Sequence, residues 1–209
     1  EWIELVDVGS SRPVFLFMFN RILLMNNDLN KYQKLSPEEH VLMRPGMYVG
    51  STSISKIEYY VPNKDHKMEL RTLNVSPAMI TLFNEIVSNS VDEHLRSGNV
   101  TKIEVSYSSM TGQICVKDNG GIPVKKHPEH DQWIPSMIFG ELRTGSNFSD
   151  DERVTAGLNG LGSSLVNIFS KEFVVETADG SNKLIQVFRN NMDEVNDPVI
   201  TKSSEKGTT

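Results

Sequence analysis

Three groups of residues in this sequence are suited to chemistry. Gly157, Gly160 and Gly162 run into Ser163-Ser-Leu-Val-Asn-Ile-Phe169, whose apolar residues have helical spacing. Such a run turns tightly and then presents unpaired backbone N–H groups at a helix start, a physical recipe for holding phosphate. Upstream, Glu85, Asn89, Asp92 and Arg96 fall on one face of an expected helix. Between them, Asp118 opens a tight glycine turn, Asp118-Asn-Gly-Gly-Ile-Pro123. Each feature alone is weak. A polar helix face is ordinarily a solvated surface, and a glycine run is ordinarily a loop with a helix cap. Together, in this order, they describe a pocket for a phosphoryl ligand.

The elements that must position these groups are legible to different degrees. Ser76-Pro77 opens the clearest helix, which ends near Gly98. On a 3.6-residue period Met79, Ile80, Phe83, Val87, Val91 and Leu95 form its apolar face, opposite Glu85, Asn89 and Asp92. Residues 101–107 and 113–118 alternate as two strands, an expected antiparallel pair. A short helix is expected over 133–139 and another over 163–169, and residues 172–177 and 183–189 read as a strand pair turning at Asp179-Gly180. Ser36-Pro-Glu-Glu39 is a capping-box helix start, stopped by Arg44-Pro-Gly46. Residues 54–73 fit a hairpin or an exposed excursion, and 124–132 a polar loop. The C-terminal tail reads as polar. Residues 1–31 have three readings of equal weight: packing on the main domain, covering a partner subunit, or an irregular extension.

Composition narrows the class. The chain has 209 residues, 38% hydrophobic and 23% charged, enough for one sizeable core, and a net charge of -6. A surface built to grip nucleic-acid phosphate is usually basic, so DNA contact is not expected from this region alone. The single cysteine, Cys115, excludes an internal disulfide framework and a multi-thiolate zinc site. The five histidines show no metal-ligand spacing. No apolar run has transmembrane length, and Val14-Phe-Leu-Phe-Met-Phe-Asn20 is a poor signal peptide. An intracellular location is the expectation, with no membrane partner.

The pattern does not match the phosphate-loop ATPases, because Gly-x-x-x-x-Gly-Lys-Ser/Thr is absent. It lacks the kinase Asp-Phe-Gly set and the Rossmann Gly-x-Gly-x-x-Gly. From about Lys34 onward it resembles the N-terminal ATP-binding domain of type IIA DNA topoisomerases, within the superfamily of gyrase, Hsp90, MutL and histidine kinases. Leu35 to Ser51 is similar to the family's opening segment, Glu85 to Glu93 to its acidic helix, and Val116 to Val124 to its adenine turn. Leu142 to Phe148 and Val154 to Ser170 resemble its lid and phosphate loop. The lid is closer to that of the eukaryotic and large-bacteriophage enzymes than to gyrase.

The resemblance implies a role for each matching residue. Glu85 corresponds to the general base that activates the water attacking the γ-phosphate. Asn89 corresponds to the Mg2+ ligand, an amide oxygen completing a hard site otherwise made of phosphate and water oxygens. Asp92 would give a supporting hydrogen bond, and Arg96 a helix-end charge. Asp118 corresponds to the adenine-recognising aspartate, Ile122 to the wall of the adenine slot, and Thr208 to the hydroxyl that joins them. Asn119, Ser146 and Asn147 would contact ribose or phosphate. Gly157, Asn159, Gly160, Leu161, Gly162 and Ser163 would wrap the triphosphate. Tyr32 could be a cross-subunit contact.

The implied fold is α+β, a two-layer α/β sandwich of Bergerat type with a mixed, mainly antiparallel sheet. Residues 1–31 would be an N-terminal arm and 32–209 an ATP-binding domain truncated before the transducer domain. ATP and Mg2+ are the implied cofactors. DNA (through the full-length enzyme), a second copy of the subunit and further topoisomerase subunits are the implied partners. The setting would be cytoplasm or nucleus, or host cytoplasm for a viral enzyme. Two departures stand out. The family's adenine turn usually reads Asp-Asn-Gly-Arg-Gly-Ile-Pro, one residue longer. The Gln-Thr-Lys lysine, the breakage tyrosine and the DNA gate are not found, so weak turnover by this stretch alone is expected. Another ATPase or chaperone of the superfamily, or a non-catalytic nucleotide-binding regulator, are the alternatives.

Overall fold

A computed structural model describes residues 34–144 and 160–209. Helix α1 (Pro37–Met43) starts on the expected capping box: Glu39 N donates to Ser36 Oγ at 3.1 Å, and Ser36 N donates to Glu39 Oε2 at 2.8 Å. Pro45–Met47 add one 3-10 turn where the helix must stop. Strands β1 (Ser55–Pro62) and β2 (Met68–Val75) form a hairpin with Ser55 opposite Val75. Helix α2 (Pro77–Ser97) follows and ends at Gly98, whose φ of 68° makes the left-handed cap that glycine adopts at no steric cost.

The remaining elements build one seven-stranded sheet with helices against it. These are β3 (Ile103–Ser108), β4 (Gln113–Asp118), α3 (Ile134–Gly140), α4 (Gly162–Ile168), β5 (Glu172–Asp179) and β6 (Asn182–Arg189). Three short strands come last: β7 (Glu194–Val195), β8 (Val199–Lys202) and β9 (Lys206–Thr208). The spatial order is β3-β4-β9-β5-β6-β7, with β8 also on β6. Every pairing among the described strands is antiparallel. The chain is thus the expected α+β two-layer sandwich.

The structure adds to one expectation and corrects another. The tail, read only as polar, supplies a strand, because β9 lies between β4 and β5 in the middle of the sheet. Three residues cannot announce a strand; backbone bonds from both neighbours create it. The apolar stripe of α2 is not its buried face. Met79, Val91 and Leu95 are 51%, 40% and 50% exposed, while Ala78, Ser90 and Asp92 are buried. The inward face carries Ala78 and Leu82 toward the core and Glu85 and Asp92 further along. A helix that lines a polar site turns polar groups inward, which inverts the usual amphipathic pattern.

Two apolar clusters hold the layers together. Val41, Val49, Ala78, Leu165 and Ile168 join α1, α2 and α4. Val124, Phe139, Val175, Leu184 and Phe188 pack α3 on β5 and β6. Alternation along β5 and β6 puts Val175, Thr177, Leu184, Gln186 and Phe188 on the covered side, with Val174 exposed on the other.

Candidate functional site

Asp118, the last residue of β4, is fixed from three directions. Ser90 Oγ on α2 donates to Asp118 Oδ2 at 2.7 Å, and Gly120 N donates to Oδ1 at 2.9 Å. Across the sheet Asp118 stands opposite Thr208, and Thr208 stands opposite Thr177. The two threonine hydroxyls lie 2.9 Å apart, and Thr177 Oγ1 also accepts from Ile122 N at 2.9 Å. The turn after Asp118 therefore closes onto two strands although it is a residue shorter than the family's usual form. Glycine is required here: a Cβ on Gly121 would overlap the Ala178 carbonyl oxygen, and one on Gly207 would lie 2.5 Å from Asp118 O. Ser90 and Thr177 were not foreseen as site residues. A polar residue at an inward position of an otherwise apolar strand was the available signal for Thr177.

Glu85 stands five residues before Ser90 on α2, half-buried against the start of α4, where a Cβ on Gly162 would overlap its Oε2. Burial first, and the Asp92 carboxylate second, raise the Glu85 pKa above the usual glutamate value. Asn89 is exposed on the same stripe and Asp92 is buried. Arg96 pairs with Glu93 at the helix end.

Helix α4 is pinned to α3 by side chains. Ser163 Oγ donates to Ile138 O at 2.8 Å and Asn167 Nδ2 to Phe139 O at 2.9 Å. Leu161 caps α4 and packs on the α1–α2 core, while Gly160, with φ 59°, accepts from Thr144 N at 3.1 Å. Gly160, Leu161, Gly162 and Ser163 thus place the first backbone N–H groups of α4 beside the Glu85 face of α2. Ile122 packs against the Val124–Phe139 cluster. The Asn119 side chain is engaged away from the pocket: its Oδ1 accepts from Thr101 N and Lys102 N, and its Nδ2 donates to Thr101 Oγ1. Ser146, Asn147, Gly157 and Asn159, like Tyr32, lie outside the described residues.

Residues 74–209 match the model of the histidine kinase-, DNA gyrase B- and HSP90-like ATPases. The chain belongs to this ATPase family. Within it, the chain is 40% identical over 182 residues to DNA topoisomerase 2 of Candida glabrata, an alignment that covers 85% of this chain and 13% of that protein. It superposes with a TM-score of 0.83 and 38% identity on the ATPase and transducer domains of DNA topoisomerase II from Balamuthia mandrillaris, covering 88% of this chain and 49% of that one. The ATPase domain of Thermus thermophilus gyrase B is more distant, at TM-score 0.58 and 27% identity, over 82% of this chain and 37% of that one. Its similarity is thus greater to eukaryotic type II topoisomerases than to that gyrase, and the chain spans about an eighth of its curated relatives' length. No helix among the described residues is long and apolar enough to cross a membrane.

Proposed function

We propose that the chain is the ATP-binding and hydrolysing gate domain of a type IIA DNA topoisomerase, preceded by an arm over residues 1–31 and followed by a transducer domain. In the whole enzyme, nucleotide binding would draw two subunits together around a DNA segment, and hydrolysis would release them. The observation that carries this reading is the placement of Asp118 with Ser90, Thr177 and Thr208 on one side of α2, and Glu85 against Gly162 further along the same helix. A base reader and a hydrolytic carboxylate on one rigid helix wall suit a nucleoside triphosphate.

Each group has a task its chemistry fits. Asp118 accepts from the exocyclic amino group of adenine, oriented by Ser90 and Gly120 N. The Thr208 hydroxyl, beside Thr177, adds a second polar point, and Ile122 closes the slot. Glu85 holds the attacking water in line and takes its proton; its raised pKa makes it a stronger base than a free glutamate. The backbone N–H groups of Gly160 to Ser163 face the phosphates, with Gly157, Asn159, Ser146 and Asn147 completing the lid, and Asn119 helping from the turn through its backbone. Glu85, Asn89 and Asp92 offer oxygen donors only, a set that suits hard Mg2+, and exposed Asn89 is the residue that would ligate it. When bound, the ion offsets phosphate charge.

The test is magnesium-dependent ATP affinity of the wild type against Asp118→Asn. The variant keeps the shape but replaces one acceptor oxygen by a donor, so affinity should fall by on the order of 10- to 100-fold. Unchanged tight binding would remove Asp118 from adenine recognition. In the full-length protein, Glu85→Ala should bind ATP and release no phosphate; equal release by the variant defeats the assignment of the base.

A further inference from the structure

We propose that the loop joining β4 to α3 carries a surface site for a borderline transition cation of the Zn2+ class, held by His127, Glu129 and His130. The ligand atoms of these residues all lie within 4.8 Å of one another. The histidine rings stack with centroids 4.7 Å apart. The sequence reading found no metal-ligand spacing among the histidines, and the structure brings two of them together with a carboxylate. In sequence they are only a His-Pro-Glu-His run; Pro128 is tolerated in a first turn, and the Asp131 N to His127 O bond at 3.1 Å closes one helical turn that makes positions 127 and 130 neighbours. The surrounding loop then holds that turn in place.

The loop is a closed backbone frame. His127 N donates to Gln132 O at 2.7 Å, Asp131 N to His127 O at 3.1 Å, and Ile134 N to Lys125 O at 2.9 Å. Lys126 and Trp133 form a bridge at its neck. Asp131 takes φ 53°, and Glu129 N donates to His127 Nδ1 at 3.3 Å, which turns the loop tightly around the three side chains. The base of the loop is anchored in the core through Val124 and α3, so the frame does not depend on a metal.

The donor set selects the ion. Two imidazoles and one carboxylate match zinc-type coordination, whereas Mg2+ and Ca2+ take oxygen ligands. Bonds of about 2.0–2.1 Å in a tetrahedral shell put ligand atoms roughly 3.4 Å apart, so the 4.8 Å cluster must contract by little more than an ångström. Glu129 and His130 are exposed and free to rotate into that shell, breaking the ring stack as they do so. The cation nearest in sequence is neutralised, because Lys126 Nζ is paired with Asp131 at 2.9 Å. A water fills the fourth position. The site shares no residue with the nucleotide pocket.

The experiment uses tag-free, metal-stripped protein without nucleotide, which would itself chelate the ion. Zn2+ is titrated by calorimetry and Co2+ by visible absorption. The wild type should take one equivalent of Zn2+, show the intense spectrum of tetrahedral Co2+, and gain thermal stability with Zn2+. His127→Ala and His130→Ala should each weaken Zn2+ binding on the order of 10- to 100-fold, with Glu129→Gln weaker than wild type. His66→Ala should leave binding unchanged. Because these loop side chains are largely exposed, circular dichroism and the metal-free Tm should not move. Unchanged Zn2+ affinity in the His127→Ala, His130→Ala double variant overturns the proposal. So does a weak, octahedral Co2+ spectrum in the wild type, or no Zn2+ binding at all.

Discussion

Glu85 rests on the backbone of Gly162: a Cβ there would overlap Glu85 Oε2 and stand 3.1 Å from its Cδ. The Glu85 carboxylate and the first turn of α4 are therefore in contact, and the smallest residue is what lets them meet. Gly162→Ala should fold, because the atom it displaces ends a side chain that can rotate. We expect a stability change below about 1 kcal/mol. Phosphate release by the full-length protein should fall by on the order of 100-fold, since an ångström of misplacement at a reacting group costs that much. Wild-type turnover in the alanine variant would show that this contact does not set the position of Glu85.

Glu85 also gives the chain a pH signature. Burial and Asp92 raise its pKa in the folded state, so folding favours the protonated form. Its favourable contribution is complete below the unfolded glutamate value and is lost as pH rises through the higher folded value. Glu85→Gln should then be more stable than wild type at neutral pH and equal to it in mild acid. The carboxylate is only half-buried, so the neutral-pH gain is less than about 1 kcal/mol, or roughly 2 °C in Tm. Thermal unfolding followed from mild acid to neutral pH measures it. A gap that does not grow with pH would refute the assignment.

A different carboxylate stabilises the far end of the turn that follows Asp118. Asp179 Oδ2 accepts from Val124 N at 2.9 Å, while its Oδ1 accepts from Ser181 N and Asn182 N, each at 2.9 Å. Burial opposes its ionisation, but these N–H groups and Lys125 outweigh burial and hold its pKa below the usual aspartate value. The stability it adds is present above the unfolded value and disappears as pH falls through the folded one. Asp179→Ala should cost about 1 kcal/mol at pH 7, solvent screening reducing the worth of its bonds, and less in acid. Denaturant titrations at the two pH values would show a constant difference if the backbone bonds were unimportant.

Gly121 tests the shortened turn directly. Its φ is 79°, and a Cβ would strike the backbone of Ala178, which cannot swing aside. Gly121→Ala should destabilise by about 2–4 kcal/mol and weaken ATP together with it, because Asp118 and Ile122 sit on either side. Gly112→Ala is the comparison: it shares the positive φ, at 69°, but has open space around it, so it should cost only about 1 kcal/mol. Equal losses at the two positions would mean that the close approach to Ala178 does not matter.

By itself the sequence determined the family, the α+β class, and the elements whose signals are local. Ser36 and Glu39 could specify a helix start because both partners of the capping box lie within four residues. Asp179-Gly180 could specify a strand reversal for the same reason. Motif order put forward Glu85, Asn89 and Asp118 as the proposed site residues because their types and spacing repeat a known pattern. Only the tertiary structure decided which face of α2 turns inward, since burial depends on what packs against a helix and its polar stripe faces the site. It alone made Lys206–Thr208 a strand, because β4 and β5 supply the bonds that three residues cannot supply to themselves. It brought Ser90 to Asp118 and Thr177 to Thr208 across 28 and 31 residues of chain. Contacts made within one turn can be read along the chain; contacts between elements exist only once the sheet and helices have packed.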